Sequence, residues 1–112
     1  MKKIEAIIRH HKLDDVKNAL ANMGVQGMTV TEVRGMGRAG QVIESYRGQV
    51  YSVDLTPRML IELVVSDELC PQIMQTLMTA ARTGQVGDGR IFVTSIEEVI
   101  RVRTGETGVE AL

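Results

Sequence analysis

Hydrophobic and polar positions alternate over residues 3 to 9, with Ile4, Ala6 and Ile8 on one side and Glu5, Ile7 and Arg9 on the other, which predicts a strand. A helix follows: Leu13, Val16, Leu20 and Met23 recur at helical spacing, Asp14 and Asp15 suit the positive end of its first turn, and Gly24 is placed to end it. After Gly27, the β-branched run Met28-Thr29-Val30-Thr31-Glu32-Val33 predicts a second strand. Periodicity then lapses. From Gly35 to about Pro57, glycines at 35, 37, 40 and 48 stand among polar residues, and the expectation is a long, irregular loop, mobile from about 38 to 55.

Met59 to Val65 is nearly continuous apolar sequence broken by Glu62, the pattern of a central strand. Between Asp67 and Arg82, Leu69, Ile73, Leu77 and Ala81 recur at steps of four beside Met74 and Met78, which predicts a second amphipathic helix with Pro71 in its first turn. Gly84, Gly87 and Gly89 mark a tight loop, and Ile91-Phe92-Val93 opens a fourth strand. A short last strand is expected to carry Ile100 and Val102 on one face and Arg101 and Arg103 on the other. The order β-α-β-loop-β-α-β is that of an α+β, ferredoxin-like unit, two helices on one face of an antiparallel sheet. Ile7, Leu60 and Val64 fall on the parity of the other face, so a partner subunit is expected to cover it.

At 112 residues the chain is expected to be one domain. A chain of this size buries only about 65% of its unfolded surface, which makes an oligomer or a ligand a useful supplement. Thirteen Lys and Arg against fourteen Asp and Glu leave a net charge of −1, which argues against a direct nucleic-acid binder and confines any phosphate site to a local cluster. No apolar run approaches the roughly 20 residues of a membrane span, and no signal-peptide core follows the N-terminal lysines. The single cysteine, Cys70, cannot form an intrachain disulfide. These features together predict a cytoplasmic protein.

The densest candidate chemistry is Thr83-Gly84-Gln85-Val86-Gly87-Asp88-Gly89-Arg90, followed by Arg101-Val102-Arg103. Glycines let backbone N–H groups approach a phosphate closely, and arginines add charge-assisted bonds; the plainer alternative is a tight turn with solvated arginines. Gly35-Met36-Gly37-Arg38 is a weaker signal of the same kind. Tyr46 and Tyr51 both lie in the long loop, where they would serve a contact or modification surface or else fold back onto the body. His10 and His11 are adjacent, so on a continuing strand they would face opposite ways and could not share a metal. Cys70, near a helix start and beside Pro71, is expected to be packed rather than reactive. No Ser-His-Asp set, paired carboxylates or His-x-x-x-His spacing supports an enzyme.

The segments Gly27 to Val33, Gly35 to Arg38, Tyr46-Arg47-Gly48, Tyr51, Thr83 to Val93 and Arg101 to Glu106 resemble the PII signal-transduction family over essentially the whole chain. The resemblance implies a homotrimer of ferredoxin-like subunits that binds ATP or ADP in three inter-subunit clefts. By position, Gly87, Asp88, Gly89 and Arg90 would cradle the nucleotide, with Ile7, Gly35, Gly37, Arg38, Glu62 and Val64 around phosphates and adenine. Thr29, Arg101 and Arg103 would come from the neighbouring subunit. The long loop, about 37–55, would be the T-loop that contacts a regulated transporter, enzyme or regulator, and about 104–112 a C-terminal tail. Tyr51 would be the modification position.

Where 2-oxoglutarate-sensing relatives generally have glutamine at 39 and lysine at 58, this chain has Ala39 and Arg58. Alanine offers Mg²⁺ no oxygen and a guanidinium is shaped unlike an ammonium, so weak binding of Mg²⁺ and of 2-oxoglutarate is expected, with Arg9 and Arg58 left as candidate effector contacts. Gln49-Val50 departs from the usual surroundings of the modified tyrosine, and His10-His11 replaces Pro-Phe. The implied function is regulation of nitrogen metabolism without catalysis. The alternatives are a divergent sensor for another transporter or pathway, and a small ferredoxin-like enzyme or metal-binding trimer. Membrane association would come only through a transporter partner.

Overall fold

The computed structural model describes residues 1–36, 42–46, 49–53 and 55–112, the two middle stretches by backbone pairing alone. The proposed roles of Gly37, Arg38 and Ala39, and the side chains of Tyr46 and Tyr51, lie outside the described residues.

Strand β1 (Lys2–Ile8) leads through a 3-10 turn (His10–Lys12) into helix α1 (Leu13–Asn22) and strand β2 (Thr29–Met36). Two short strands, β3 (Val42–Tyr46) and β4 (Gln49–Val53), precede the long strand β5 (Leu55–Val65). Helix α2 (Cys70–Ala81), strand β6 (Gly89–Ser95) and a 3-10 turn (Gly108–Ala111) complete the chain. The main sheet has the order β2-β5-β1-β6, antiparallel throughout, the ferredoxin-like arrangement expected from the element order.

Strand parity sets the two faces. Ile4, Ala6 and Ile8 of β1 and Met59, Ile61, Leu63 and Val65 of β5 are buried together with Val16 and Leu20 of α1 and Cys70, Ile73, Leu77 and Ala81 of α2. The alternate residues, including Ile7, Arg58, Leu60, Glu62 and Val64, are only half-buried on the face opposite the helices. Phe92, across from Glu5, belongs to that same face and is exposed. Apolar side chains thus floor an uncovered sheet surface.

Four expectations are corrected. The stretch from Gly35 to Pro57 is not wholly irregular: β2 runs on to Met36, β5 starts at Leu55, and β3 pairs with β4 from Val42↔Val53 to Tyr46↔Gln49. The sequence reason is that Val42-Ile43 and Val50-Tyr51 are strand formers on either side of Arg47-Gly48. The second helix begins at Cys70 rather than Asp67, with Pro71 at its first turn, while Asp67 pairs with the N-terminal amine at 2.9 Å.

No strand forms over residues 100 to 103. Arg101 N donates to Glu106 O and Gly105 N to Arg101 O, closing a turn at Gly105 (φ +75°) that leaves Ile100 a single bridge to Thr107 and Val102 fully exposed. Arg101 and Arg103 therefore do not share a strand face. Finally, β1 stops at Ile8, so His10 and His11 are exposed in the 3-10 turn rather than on opposite faces of a strand.

Candidate functional site

The loop joining α2 to β6 is built around one carboxylate. Asp88 Oδ2 accepts the backbone N–H groups of Thr83 and Gly84, each at 2.8 Å. Asp88 Oδ1 accepts the Thr83 hydroxyl and the Arg9 Nε, the latter at 3.0 Å. Arg9 Nη2 also donates to the Val86 carbonyl at 2.8 Å, tying the loop to the residue just past β1. Gly84, Gly87 and Gly89 take φ of +88°, +103° and +105°, the left-handed backbone that lets so short a segment fold back on a single side chain.

The Thr83 hydroxyl, then Arg9 and the two backbone amides, hold the Asp88 carboxyl well below the usual carboxylate range, against the effect of its partial burial. Because its folded pKa is depressed, its contribution to stability is present above the ordinary value of 3.8 and is lost as the pH falls below it. An NMR titration of the Asp88 carboxyl carbon should find its midpoint well under 3.8, and a midpoint at that ordinary value would mean that the loop network does not hold in solution.

Beside this loop lies a cleft of about 340 Å³ on the uncovered sheet face, lined by Ile7, Gly35, Arg58, Gly87, Arg90 and Phe92 among others. Its floor is apolar and its rim cationic. Arg90 is exposed and its guanidinium has no partner among the described residues, whereas Arg58 donates to the Pro57 carbonyl at 2.9 Å. The chemistry of glycine-rich backbone, two guanidinium groups and an apolar floor suits an anion carried on a flat apolar body.

Residues assigned together by resemblance divide into two groups in one chain. Ile7, Gly35, Gly87, Gly89 and Arg90 line the cleft, whereas Asp88 is not among its lining residues and is bonded within the loop. Thr29 and Glu62 pair at the opposite end of β2 and β5, six residues from the Gly35↔Thr56 pair. At roughly 3.3 Å per residue the two ends are about 20 Å apart. Glu62 and Val64 thus lie toward the Thr29 end and away from Gly35, although Glu62 stays a diagonal neighbour of Ile7, which pairs with Leu60.

Glu62 is bound to Lys3 at 3.1 Å, and this bond, with the nearby Glu5, raises the Lys3 pKa. Val64 borders a second, more apolar cavity of about 540 Å³ together with Gly27, Val109 and Leu112. Arg101 reaches the same chain end: Nη1 lies 3.3 Å from Glu106, and Nη2 donates to the carbonyls of Glu110 and Leu112 at 3.2 and 3.1 Å. Arg103 is exposed and has no side-chain partner among the described residues.

Sequence reading missed Thr56 and Phe92 as cleft residues, although the parity that assigns Leu60 and Ile7 to the open face reaches them too. The guanidinium of Arg9, a candidate effector contact, is engaged with the loop. Among the described residues no group of three His, Cys, Asp or Glu could hold a metal, Cys70 is free and buried, and no helix is long and apolar enough to cross a membrane.

Comparison with known proteins agrees with this architecture. The family model for nitrogen regulatory protein P-II matches residues 1–106. Over all 112 residues the chain is 53% identical to a nitrogen regulatory protein P-II of Rhizobium meliloti, which it covers completely. It is also 53% identical to nitrogen regulatory protein P-II 2 of Methanothermobacter thermautotrophicus, of which it covers 97%, and 52% identical to the full length of a nitrogen regulatory protein P-II of Azospirillum brasilense.

Proposed function

The chain belongs to the nitrogen regulatory protein P-II family, a family of regulators, and we propose from that premise that it reports the ATP/ADP balance to a target protein in nitrogen metabolism. The observation that carries the nucleotide reading is the cleft itself, where an apolar floor of Ile7 and Phe92 meets the Gly87–Arg90 segment and two guanidinium groups. Phosphates fit the cationic rim, while the floor offers apolar contact to the rest of the ligand. Thr29, about 20 Å from Gly35 along the sheet, would be supplied with Arg101 and Arg103 by a neighbouring copy, while Glu62 and Val64 share the open face with Ile7.

The uncovered sheet face supports that assembly, since Ile7, Leu60, Val64 and Phe92 need a partner to leave water. A homotrimer satisfies it, in keeping with the family. The T-loop, about 37–55, departs from β2 next to Gly35 and Met36, which border the cleft, so occupancy there has a short path to the segment that contacts the target. Ala39 and Arg58 favour a sensor read chiefly by adenine nucleotide, with weak binding of Mg²⁺ and of 2-oxoglutarate. We place the protein in the cytoplasm, with a transporter partner as its route to the membrane.

Titration calorimetry should give one nucleotide per chain, with ATP and ADP displacing each other, on a species that light scattering sizes at three times the 12.3 kDa chain. A stable monomer that binds neither nucleotide would overturn this reading.

A further inference from the structure

We propose that Thr83, Asp88 and Arg9 form a positioning unit that holds the Gly87–Arg90 segment in its phosphate-binding arrangement before the ligand arrives, and that Arg9 serves this loop rather than an effector. The proposal rests on the nucleotide reading of the cleft and adds which side chains prepare it.

A carboxylate has about four lone-pair sites, and at Asp88 four donors fill them: two backbone amides, a hydroxyl and a guanidinium. None is left for a metal ion, and the paired Arg9 guanidinium offsets the negative charge that would otherwise repel a phosphate. Arg9 adds a second tie at the Val86 carbonyl, so one planar fork grips the loop at two points. Both side chains are shielded, with about a fifth of each exposed (21% for Arg9, 23% for Asp88).

Arg9 follows β1 directly, and β1 contributes Ile7 to the cleft floor, so the fork fixes the loop relative to the floor it must face. The Thr83–Arg90 loop, with three glycines in left-handed backbone, is entropically expensive to order. Ordering it in the free protein removes that cost from the binding step. The benefit falls on the phosphate end of the ligand, because that is the end the loop meets.

The test compares Thr83→Val, which keeps the shape and removes the hydroxyl, with Thr83→Ser, which restores it, and adds Arg9→Lys, which keeps charge and loses the fork. ADP affinity should fall roughly tenfold in Thr83→Val and Arg9→Lys and return in Thr83→Ser, while affinity for adenosine, followed by NMR titration, stays within about twofold of wild type. Exchange of the Thr83 and Gly84 amides in the unliganded protein should quicken in Thr83→Val and Arg9→Lys but not in Thr83→Ser. Unchanged ADP affinity, or equal losses for ADP and adenosine, would overturn the proposal, as would an Arg9→Lys variant that binds like wild type. Wild-type protein that fails to bind ADP would instead remove the nucleotide reading, and the amide exchange would still report whether the unit orders the loop.

Discussion

Replacing Gly89 by alanine is expected to destabilise the protein by more than about 3 kcal/mol, a large share of the 5–15 kcal/mol that holds a typical domain. Gly89 opens β6 opposite Ile8 with a φ of +105°, and a Cβ built there would stand 1.7 Å from the Ile7 carbonyl oxygen and 2.8 Å from its carbon. Both obstacles are backbone, so no rotamer change relieves them. Nor can β1 retreat, because β5 pairs with it along its other edge from Lys2↔Val65 to Ile8↔Met59. β6 would have to swing outward, losing its first pairs and moving Gly87 and Arg90 away from Ile7.

The backbone strain of alanine at such a φ costs about 1–3 kcal/mol, and the lost pairing adds to it. At about 4–8 °C per kcal/mol, the melting temperature should drop by more than about 12 °C. Gly24→Ala is the matched control: its φ is +87° but nothing lies within 4 Å of the added methyl, so only the strain should appear. Equal melting temperatures for the two variants would show that the β6 edge yields freely and that the close approach has no structural weight.

Arg90→Ala and Arg103→Ala should each weaken ATP and ADP binding by about 1.5–3 kcal/mol, the range for losing a hydrogen bond to a charged group. Both guanidinium groups are exposed and lack a side-chain partner among the described residues, so neither gives up an existing bond to meet a phosphate. For the same reason their removal should leave the melting temperature of the unliganded protein almost unchanged. Arg101 differs. Its bonds to Glu106 and to the carbonyls of Glu110 and Leu112 tie down the chain end, so Arg101→Ala should lower both nucleotide affinity and thermal stability.

Calorimetry at two salt concentrations gives a further check, because contacts between exposed charges and phosphate weaken as ionic strength rises. Wild-type affinity in both Arg90→Ala and Arg103→Ala would mean that the cationic rim is ordinary solvated surface and that the ligand belongs elsewhere.

Local regularities carried the architecture because they are written in neighbouring residues. The alternation of Ile4, Ala6 and Ile8, the helical stripes of Leu13-Val16-Leu20 and Leu69-Ile73-Leu77-Ala81, and the apolar run ending at Val65 each depend on a period of 2 or 3.6. Their burial followed except at Leu13, which is partly buried, at Leu69, which precedes the helix and is exposed, and at Leu60 and Val64, half-buried on the open face. The glycine-rich segment from Thr83 to Arg90 was legible for the same reason, since only glycine tolerates such backbone cheaply. The unpartnered sheet face was also readable, from the parity of Ile7, Leu60 and Val64.

Tertiary structure decided who meets whom. Arg9 and Asp88 are 79 residues apart, and they bond only because β6 pairs with β1, a choice no local period encodes. The expected strand at 100–103 failed because turn bonds around Gly105 captured the backbone groups that a ladder would have used. Thr29 and Gly35 lie on one short strand and look like neighbours in sequence, yet an extended chain separates them by about 20 Å, consistent with the resemblance assigning them to different subunits of one site. Periodicity states which face a residue occupies; only the strand order and the rise along each strand state what lies across from it.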